Sequence, residues 1–321
     1  MSERFSHIPV LADQVVDLLQ PQSGQVFVDC TAGLGGHACL IAQAIGPSGT
    51  IVLNDMDSGN LARAEQAVRD AMAPEDPKSA NVVVIQGNFA QVPQELAGRG
   101  IAADMVLADL GFASTQVDDP ERGLSFRHSG PLDMRMDRSS PIDAAELVNT
   151  LPAKELGDMI KQFGEERHAR RIASMIVEAR GVAPIETTDQ LADLIRSAIP
   201  PKRGPRGPIH PATRTFQALR IAVNDELGSL ESLLRSVKFG AKKVQAGELG
   251  WLNAGARIAI IAFHSLEDRP VKQSFVRMND DGLVGLITRK PAGADEQEIG
   301  MNPRSRSAKL RVCRVLDSAI E

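Results

Sequence analysis

Residues 26–38 read VFVDCTAGLGGHA. Three apolar residues end at Asp29, glycines follow at positions 33, 35 and 36, and residues 38–44 are mostly helix-forming. This order predicts a short buried strand, a tight glycine turn and a helix that begins directly after the turn. Such a unit is the building block of an α/β fold.

The same kind of unit recurs downstream. Apolar runs at 50–53, 82–85 and 104–108 end at polar or glycine residues, among them Asp55, Asn88 and Asp109. Four short strands that alternate with helices predict right-handed crossovers and a parallel sheet. Ligands of such sheets bind at the carboxyl ends of the strands.

A helical insertion interrupts this rhythm. After Gly111 the next strand candidate is 257–263, and the residues between favour helices near 143–150, 153–163, 165–180 and 188–199, a stiff proline-rich loop and one long helix at 213–237. We therefore predict a sheet domain in two parts, 1–138 and 213–321, with an inserted helical domain at 139–212 for substrate recognition.

Composition excludes several classes of protein. The 321 residues are 43% hydrophobic and 24% charged, which is typical of a globular protein and not of a disordered one. The longest apolar run, 258–263, is far below the roughly 20 residues of a membrane span, and no signal peptide is evident. We expect a cytoplasmic protein without membrane contact. The cysteines (Cys30, Cys39 and Cys313) and the histidines lack metal-site spacing, so no metal is expected.

Charge is distributed unevenly along the chain. The totals of 36 basic and 41 acidic residues give a net charge of −5, which argues against binding to nucleic acid by global charge. The stretches 196–220 and 302–314 nevertheless contain several Arg and Lys and no acid. They are either solvated surface or a track for phosphates, and we favour the track.

The glycine turn and its polar neighbours indicate a nucleoside site. Residues 33–38 fit the dinucleotide pattern G-x-G-x-x-G/A, although a turn without a ligand fits equally well. Asp55 suits ribose hydroxyls, Asn88 suits an adenine edge, and Phe89 suits the adenine face unless it is a core aromatic. Asp29 would hold an ammonium, which favours S-adenosylmethionine over a dinucleotide.

The end of the fourth strand carries the residues for catalysis. Asp109-Leu110-Gly111-Phe112 resembles the Asp/Asn-Pro-Pro-Tyr/Phe loop of amino-group methyltransferases. An exocyclic amine is a poor nucleophile because its lone pair is delocalised into the ring. Hydrogen bonds from its N–H groups to Asp109 and a nearby carbonyl would aim the lone pair at a methyl group. Phe112 either stacks on a flipped base or packs locally.

Blocks along nearly the whole chain resemble the bacterial small-subunit (16S) ribosomal RNA cytosine-N4 methyltransferase family, known as MraW. These blocks are HIPVL at 7–11, GGH at 35–37, DLG at 109–111, GPLDMRMD at 130–137, GEER at 164–167, FQALRI at 216–221, FHSLEDR at 263–269 and NPRSRSAKLR at 302–311.

The resemblance implies a Rossmann-like methyltransferase sheet with an inserted all-helical domain. It implies methyl transfer from S-adenosylmethionine to the N4 of a cytidine in the decoding region of small-subunit ribosomal RNA, with the RNA or the small subunit as partner. The implied catalytic residue is Asp109, and the implied cofactor-binding residues are Gly35, Gly36, His37, Asp55, Phe89, Asp109 and Gln116.

The chain departs from the family pattern at Phe112, Ala113 and Thr115, in the region of the base pocket, and the roles of Asp133 and His264 stay open. Two other functions are kept as alternatives: a nicotinamide-dependent dehydrogenase and a ribosome-assembly RNA-binding protein without turnover. A homodimer is also left open.

Overall fold

The computed structural model describes residues 9–73, 75–112, 116–117, 119–199 and 210–317. The chain divides into two compact units. One, which we call the sheet unit, extends to Gly111 and resumes at Leu227; the other, the helical unit, spans Phe112–Glu226. The helical unit begins earlier in the chain and ends later than the predicted insertion at 139–212.

The sheet unit contains a seven-stranded sheet in the order β3-β2-β1-β4-β5-β7-β6. The strands are β1 Val26–Asp29, β2 Thr50–Asp55, β3 Asn81–Gln86, β4 Ala103–Asp109, β5 Leu252–Ala262, β6 Val284–Leu286 and β7 Lys309–Val315. Strands β1 to β5 are parallel, and β7 runs antiparallel to both β5 and β6. The predicted parallel sheet and the Rossmann-like class are confirmed, and the bounds predicted for β1 are correct to the residue. Strands β6 and β7 were not delimited from the sequence.

The helices of both units are numbered in chain order. They are α1 Ala12–Leu19, α2 Gly36–Ile45, α3 Ser58–Met72, α4 Val92–Gly98, α5 Ala144–Thr150, α6 Ala153–Gly164, α7 Ala169–Arg180, α8 Thr188–Ala198, α9 Thr213–Asn224, α10 Glu226–Gln245, α11 Ser265–Asp280 and α12 Glu296–Met301.

Alternating side chains of the strands fill two cores, one on each face of the sheet. Phe27 of β1 packs in the core that includes apolar residues of α1, α2 and α3. Its neighbour Val28 belongs to the other core, with residues of α4, α10 and α11. Because successive strand residues point to opposite faces, a run of apolar residues is needed when both faces are covered. The strand rhythm of the sequence reflects this requirement.

The helical unit has its own core, which includes Leu156, Ile172, Leu191 and Phe216. Helix α8 begins with a capping box that is formed by the side chains of Thr187 and Gln190.

The predicted single helix at 213–237 is wrong, because the chain breaks between α9 and α10. Asp225 takes a left-handed conformation with φ of 46° and ends α9. Asn224 is held beside it by side-chain hydrogen bonds to the backbone of Met134 and Met136. Aspartate tolerates this conformation better than most residues do, so no glycine marks the break in the sequence.

No helix within the described part of the chain is long and apolar enough to span a membrane.

Candidate functional site

Three carboxylates meet at the carboxyl edge of the parallel strands. Asp29 ends β1, and the strand register pairs it with Leu53 of β2 and with Leu107 of β4. Asp55 and Asp109 therefore extend two residues beyond Asp29 on its two sides. This edge is the ligand-binding edge of open α/β sheets.

The glycine turn lies directly above β1 and is fastened to β2. The backbone N–H of Gly33 donates to Oδ2 of Asp55 at 2.8 Å, and Gly35, with φ of 83°, precedes the first turn of α2. A Cβ on Gly35 would lie 3.1 Å from Cα of Ala64, and one on Gly36 would lie 3.0 Å from Cγ of Pro9. Close packing thus explains why glycine occupies both positions, and a role in ligand binding stays a prediction for them.

Asp55 is oriented by two backbone donors. Besides the bond from Gly33, its Oδ1 accepts the N–H of Asp57 at 2.8 Å. Burial raises the pKa of Asp55, and these backbone hydrogen bonds oppose the rise. The two bonds fix the carboxylate at the end of β2, and each oxygen keeps a lone pair for a further donor. Such an acceptor suits a pair of hydroxyl groups.

Asp29 is almost completely buried, with 1% of its surface exposed. Burial raises its pKa to about 7, although nearby His37 and the N–H of Thr31, which Oδ1 accepts at 3.1 Å, lower it. The carboxyl group is therefore only partly ionised near neutral pH. A cation placed beside it would restore its charge.

One carboxylate oxygen of Asp109 has no hydrogen-bond partner among the described residues. Its backbone N–H donates to Oγ1 of Thr31 at 2.7 Å, which ties the end of β4 to the loop after β1. Oδ2 lies 3.6 Å from Nε2 of His37, and Oδ1 accepts no hydrogen bond from any described residue. About a quarter of the side chain, 24%, is exposed, although Oδ1 itself is buried. Gly111 then turns the chain with φ of 104°.

Both ends of the Asn88 amide make local hydrogen bonds, and its role as a reader of an adenine edge stays a prediction. Its Oδ1 accepts the N–H of Ala90, and its Nδ2 donates to Oγ of Ser229 at 2.7 Å. The amide thus stabilises the start of the 3₁₀ turn Phe89–Gln91 and ties it to α10. Phe89 is half-buried and packs against the core of that face, with part of its ring still exposed.

Two predicted site residues belong to the helical unit. Gln116 is buried, with 7% exposure. Phe112 is 39% exposed, and the guanidinium of Arg220 lies over its ring with Cζ 4.6 Å from the centroid. Glu226 accepts from Nε and Nη2 of Arg220 at 2.6 and 2.7 Å, so the stacked guanidinium is held in place. Ala113 and Thr115 lie outside the described residues.

The two residues with open roles make local contacts. Asp133 forms a bidentate ion pair with Arg135, which holds the loop before α5. Nε2 of His264 lies 3.2 Å from Oε1 of Glu267, whose Oε2 accepts the N–H of Phe263 at the end of β5. The ion pair accounts for Asp133, whereas neither ring nitrogen of His264 has a hydrogen-bond partner among the described residues, so the role of His264 stays open.

The basic stretch at 302–314 is less uniform than its sequence indicates. Asp268 of α11 accepts hydrogen bonds from Arg311 and Lys309. Burial alone would raise the pKa of Asp268, but these two cations hold it below its ordinary value. Arg304 and Arg306 lie exposed just before β7. Since β7 is antiparallel to β5, they lie at the same edge of the sheet as Asp109.

The stretch at 196–220 is also partly neutralised. Arg196 pairs with Asp193, and Arg220 pairs with Glu226. Lys202, Arg203 and Arg206 lie outside the described residues.

The fold and this edge define a Rossmann-like α/β protein with a ligand edge at β1, β2 and β4, in which antiparallel β7 lies between β5 and β6. The chain belongs to the MraW methylase family, whose model matches residues 4–316.

Curated relatives match almost the whole chain. One from Geobacter sp. (strain M21) is 47% identical over 97% of this chain and 98% of its own length, and one from Symbiobacterium thermophilum is 43% identical over 99% of both. Each is named "Ribosomal RNA small subunit methyltransferase H". Among solved structures, TrmN from Thermus thermophilus aligns with 98% of this chain and 50% of its own, at 12% identity and a TM-score of 0.43. That likeness is too distant to add to the topology.

Proposed function

We propose that this protein transfers a methyl group from S-adenosylmethionine to the exocyclic N4 of a cytidine in the decoding region of small-subunit ribosomal RNA. Membership of the MraW methylase family and the names of its relatives support methylation of small-subunit ribosomal RNA. The observation that carries the rest is the edge at which the partly exposed Asp109 lies beside the carboxylates Asp29 and Asp55.

The carboxylate set fits the cofactor. Asp55 is oriented by two backbone N–H groups and offers acceptors to ribose hydroxyls. Asp29, buried and with its pKa raised to about 7, is suited to an ammonium, which would stabilise its ionised form. A nicotinamide-dependent dehydrogenase is less well supported, because the pyrophosphate of its cofactor is an anion and would gain nothing from the carboxylate of Asp29.

The remaining cofactor contacts are proposed residue by residue. The turn at Gly35, Gly36 and His37 begins α2, whose first backbone N–H groups suit a carboxylate. Phe89 offers the exposed part of its ring to the adenine face. Gln116 is proposed as a contact on the family resemblance alone.

In the reaction, Asp109 would act on the amine of the base. When bound, S-adenosylmethionine supplies an electrophilic methyl group, so that the nitrogen–carbon bond forms as the sulfur–carbon bond breaks. The carboxylate of Asp109 would accept one N–H of the amine, turn the lone pair of the nitrogen out of the ring plane, and take the proton that the nitrogen sheds. The helical unit, 112–226, is proposed to recognise the RNA, and a cytoplasmic location stays a prediction.

The test is incubation of the full chain with methyl-labelled S-adenosylmethionine and undermethylated small subunits, followed by nucleoside analysis. We expect the label in N4-methylcytidine. Asp109→Ala should lower turnover at saturating cofactor by at least about a hundredfold, as for the loss of one well-placed transition-state partner. Asp17→Ala, at an exposed position of α1, is the matched control. Subunit binding without methyl incorporation would instead favour the assembly protein, and a fully active Asp109→Ala would refute the catalytic assignment.

A further inference from the structure

A buried histidine faces the proposed catalytic carboxylate from the first turn of α2. The side chain of His37 is 7% exposed, and its Nε2 lies 3.6 Å from Oδ2 of Asp109. Neither ring nitrogen has a hydrogen-bond partner among the described residues. Buried polar groups are nearly always paired, so two unpaired nitrogens in one buried ring indicate a function that the resting contacts do not reveal.

The ring is placed among acids. Besides Asp109 from β4, it acts electrostatically on Asp29 from β1 and lowers the pKa of that carboxyl group. Asp55, at the end of β2, is the third carboxylate of the same edge. A donor on the ring therefore has anionic acceptors nearby, and Asp109 is the one whose carboxylate oxygen lies near Nε2.

The carboxylate of Asp109 needs such a support. The hydrogen bond to Thr31 fixes its backbone, but the described residues give Oδ1 no hydrogen bond that would restrain the carboxylate. The terminal torsion of an aspartate is broad, so an unrestrained carboxylate samples many orientations. A misplacement of about 1 Å in an active site can cost on the order of a hundredfold in rate.

We propose that His37 is a positioning residue for Asp109: its Nε2–H donates to Oδ2 and thereby fixes the orientation in which the carboxylate meets the exocyclic amine of the base. This inference rests on the proposed function. The 3.6 Å separation must shorten by about 0.7 Å to reach hydrogen-bond length, and catalytic hydrogen bonds are often long until the substrate is bound. The role is distinct from a backbone contact of the turn with the cofactor, because it uses only the imidazole.

Three substitutions in the full chain separate positioning from packing. In His37→Gln the amide nitrogen reaches about as far from the backbone as Nε2 and can donate. In His37→Asn the donor stops near the position of Nδ1, and His37→Leu fills the space without a donor. At saturating cofactor and subunits we expect kcat to fall about thirtyfold or more for Asn and Leu, and less than about tenfold for Gln.

Affinity for S-adenosylhomocysteine, measured by calorimetry, should stay within about twofold of the wild type in all three variants. If that affinity falls in parallel with kcat, the ring is a cofactor contact and the proposal is overturned. Gln43→Leu, on the exposed side of the same helix, controls for substitution in α2. Equal losses for Gln and Leu, or none for Leu, would also overturn it.

A double-mutant cycle gives a readout that a purely structural role would not move. If His37 acts through Asp109, His37→Leu should have almost no further effect on kcat when Asp109 is already Ala. Additive losses would contradict the proposal. The proposed function fails separately, since in that case the wild-type chain would not methylate undermethylated subunits at all.

Discussion

Replacing Asp29 by Asn should stabilise the protein increasingly as the pH rises. Burial raises the pKa of this carboxyl group from 3.8 to about 7. Between these values the folded state retains a proton that the unfolded state releases. The stability of the wild type therefore falls as the pH rises through this range and stops falling above about pH 7. Asn is neutral throughout and escapes this penalty.

The size of the effect follows from the same pKa. At about 1.4 kcal/mol for each pH unit, the penalty on the wild type is on the order of 4 kcal/mol at pH 8.5 and about 1 kcal/mol at pH 4.5. The amide oxygen of Asn can still accept the N–H of Thr31, which Asp29 accepts at 3.1 Å. Its buried NH₂ group costs about 1–3 kcal/mol at every pH. The difference between variant and wild type should therefore move by about 3 kcal/mol in favour of Asn across this range.

Urea unfolding of both proteins at pH 4.5, 6 and 8.5 measures this difference, with exposed Asp17→Asn as the control that should show none of it. A difference that is constant with pH to within about 0.5 kcal/mol would refute the reasoning, because it would mean that Asp29 ionises as easily in the folded as in the unfolded chain. Affinity of Asp29→Asn for S-adenosylhomocysteine should fall about tenfold or more, since the ammonium loses its counter-charge. Above neutral pH the same substitution thus gains stability and loses affinity for the cofactor.

Three further predictions concern other parts of the sheet unit and its junction. Asp55→Ala should weaken binding of S-adenosylhomocysteine by about 1.5–3 kcal/mol in calorimetry, whereas Asp76→Ala, at the opposite edge of the sheet, should leave it unchanged. Replacing Arg304 and Arg306 together by Gln should weaken RNA binding and reduce the log–log salt slope by about one for each phosphate that is no longer neutralised, and an unchanged slope would make them solvated surface. Asp225→Gly should raise the free energy of unfolding by up to about 1 kcal/mol, because glycine adopts a φ of 46° without strain; a loss of stability would contradict this.

Local patterns predicted the sheet well because each strand of the first half carries its own signals. The bounds of β1 are evident from an apolar run that ends at Asp29 before a glycine turn. The break at Asp225 was missed because both flanks favour a helix and no glycine or proline lies at the break. Strand β6 is only three residues long, which is too short for a periodic pattern.

For the candidate site, the sequence predicted which strand ends carry acids but not what each polar side chain touches. Asn88 bonds to Ser229, 141 residues away, and Arg311 pairs with Asp268, 43 residues away. Such partners are brought together only by the fold, and spacing in the sequence contains no trace of them. His37 and Asp109 are likewise far apart in the sequence, and only the fold brings their side chains close together.

The position of β7 between β5 and β6 has a consequence for synthesis of the chain. Residues 309–315 are translated after every other strand, yet they fill the place between two strands that have already been made. Until they emerge from the ribosome, the outer edge of β5 has unpaired backbone groups along residues 257–262. An open apolar edge of this kind is prone to pair with other chains. The nascent protein is therefore most vulnerable to aggregation in the interval between translation of β5 and translation of β7.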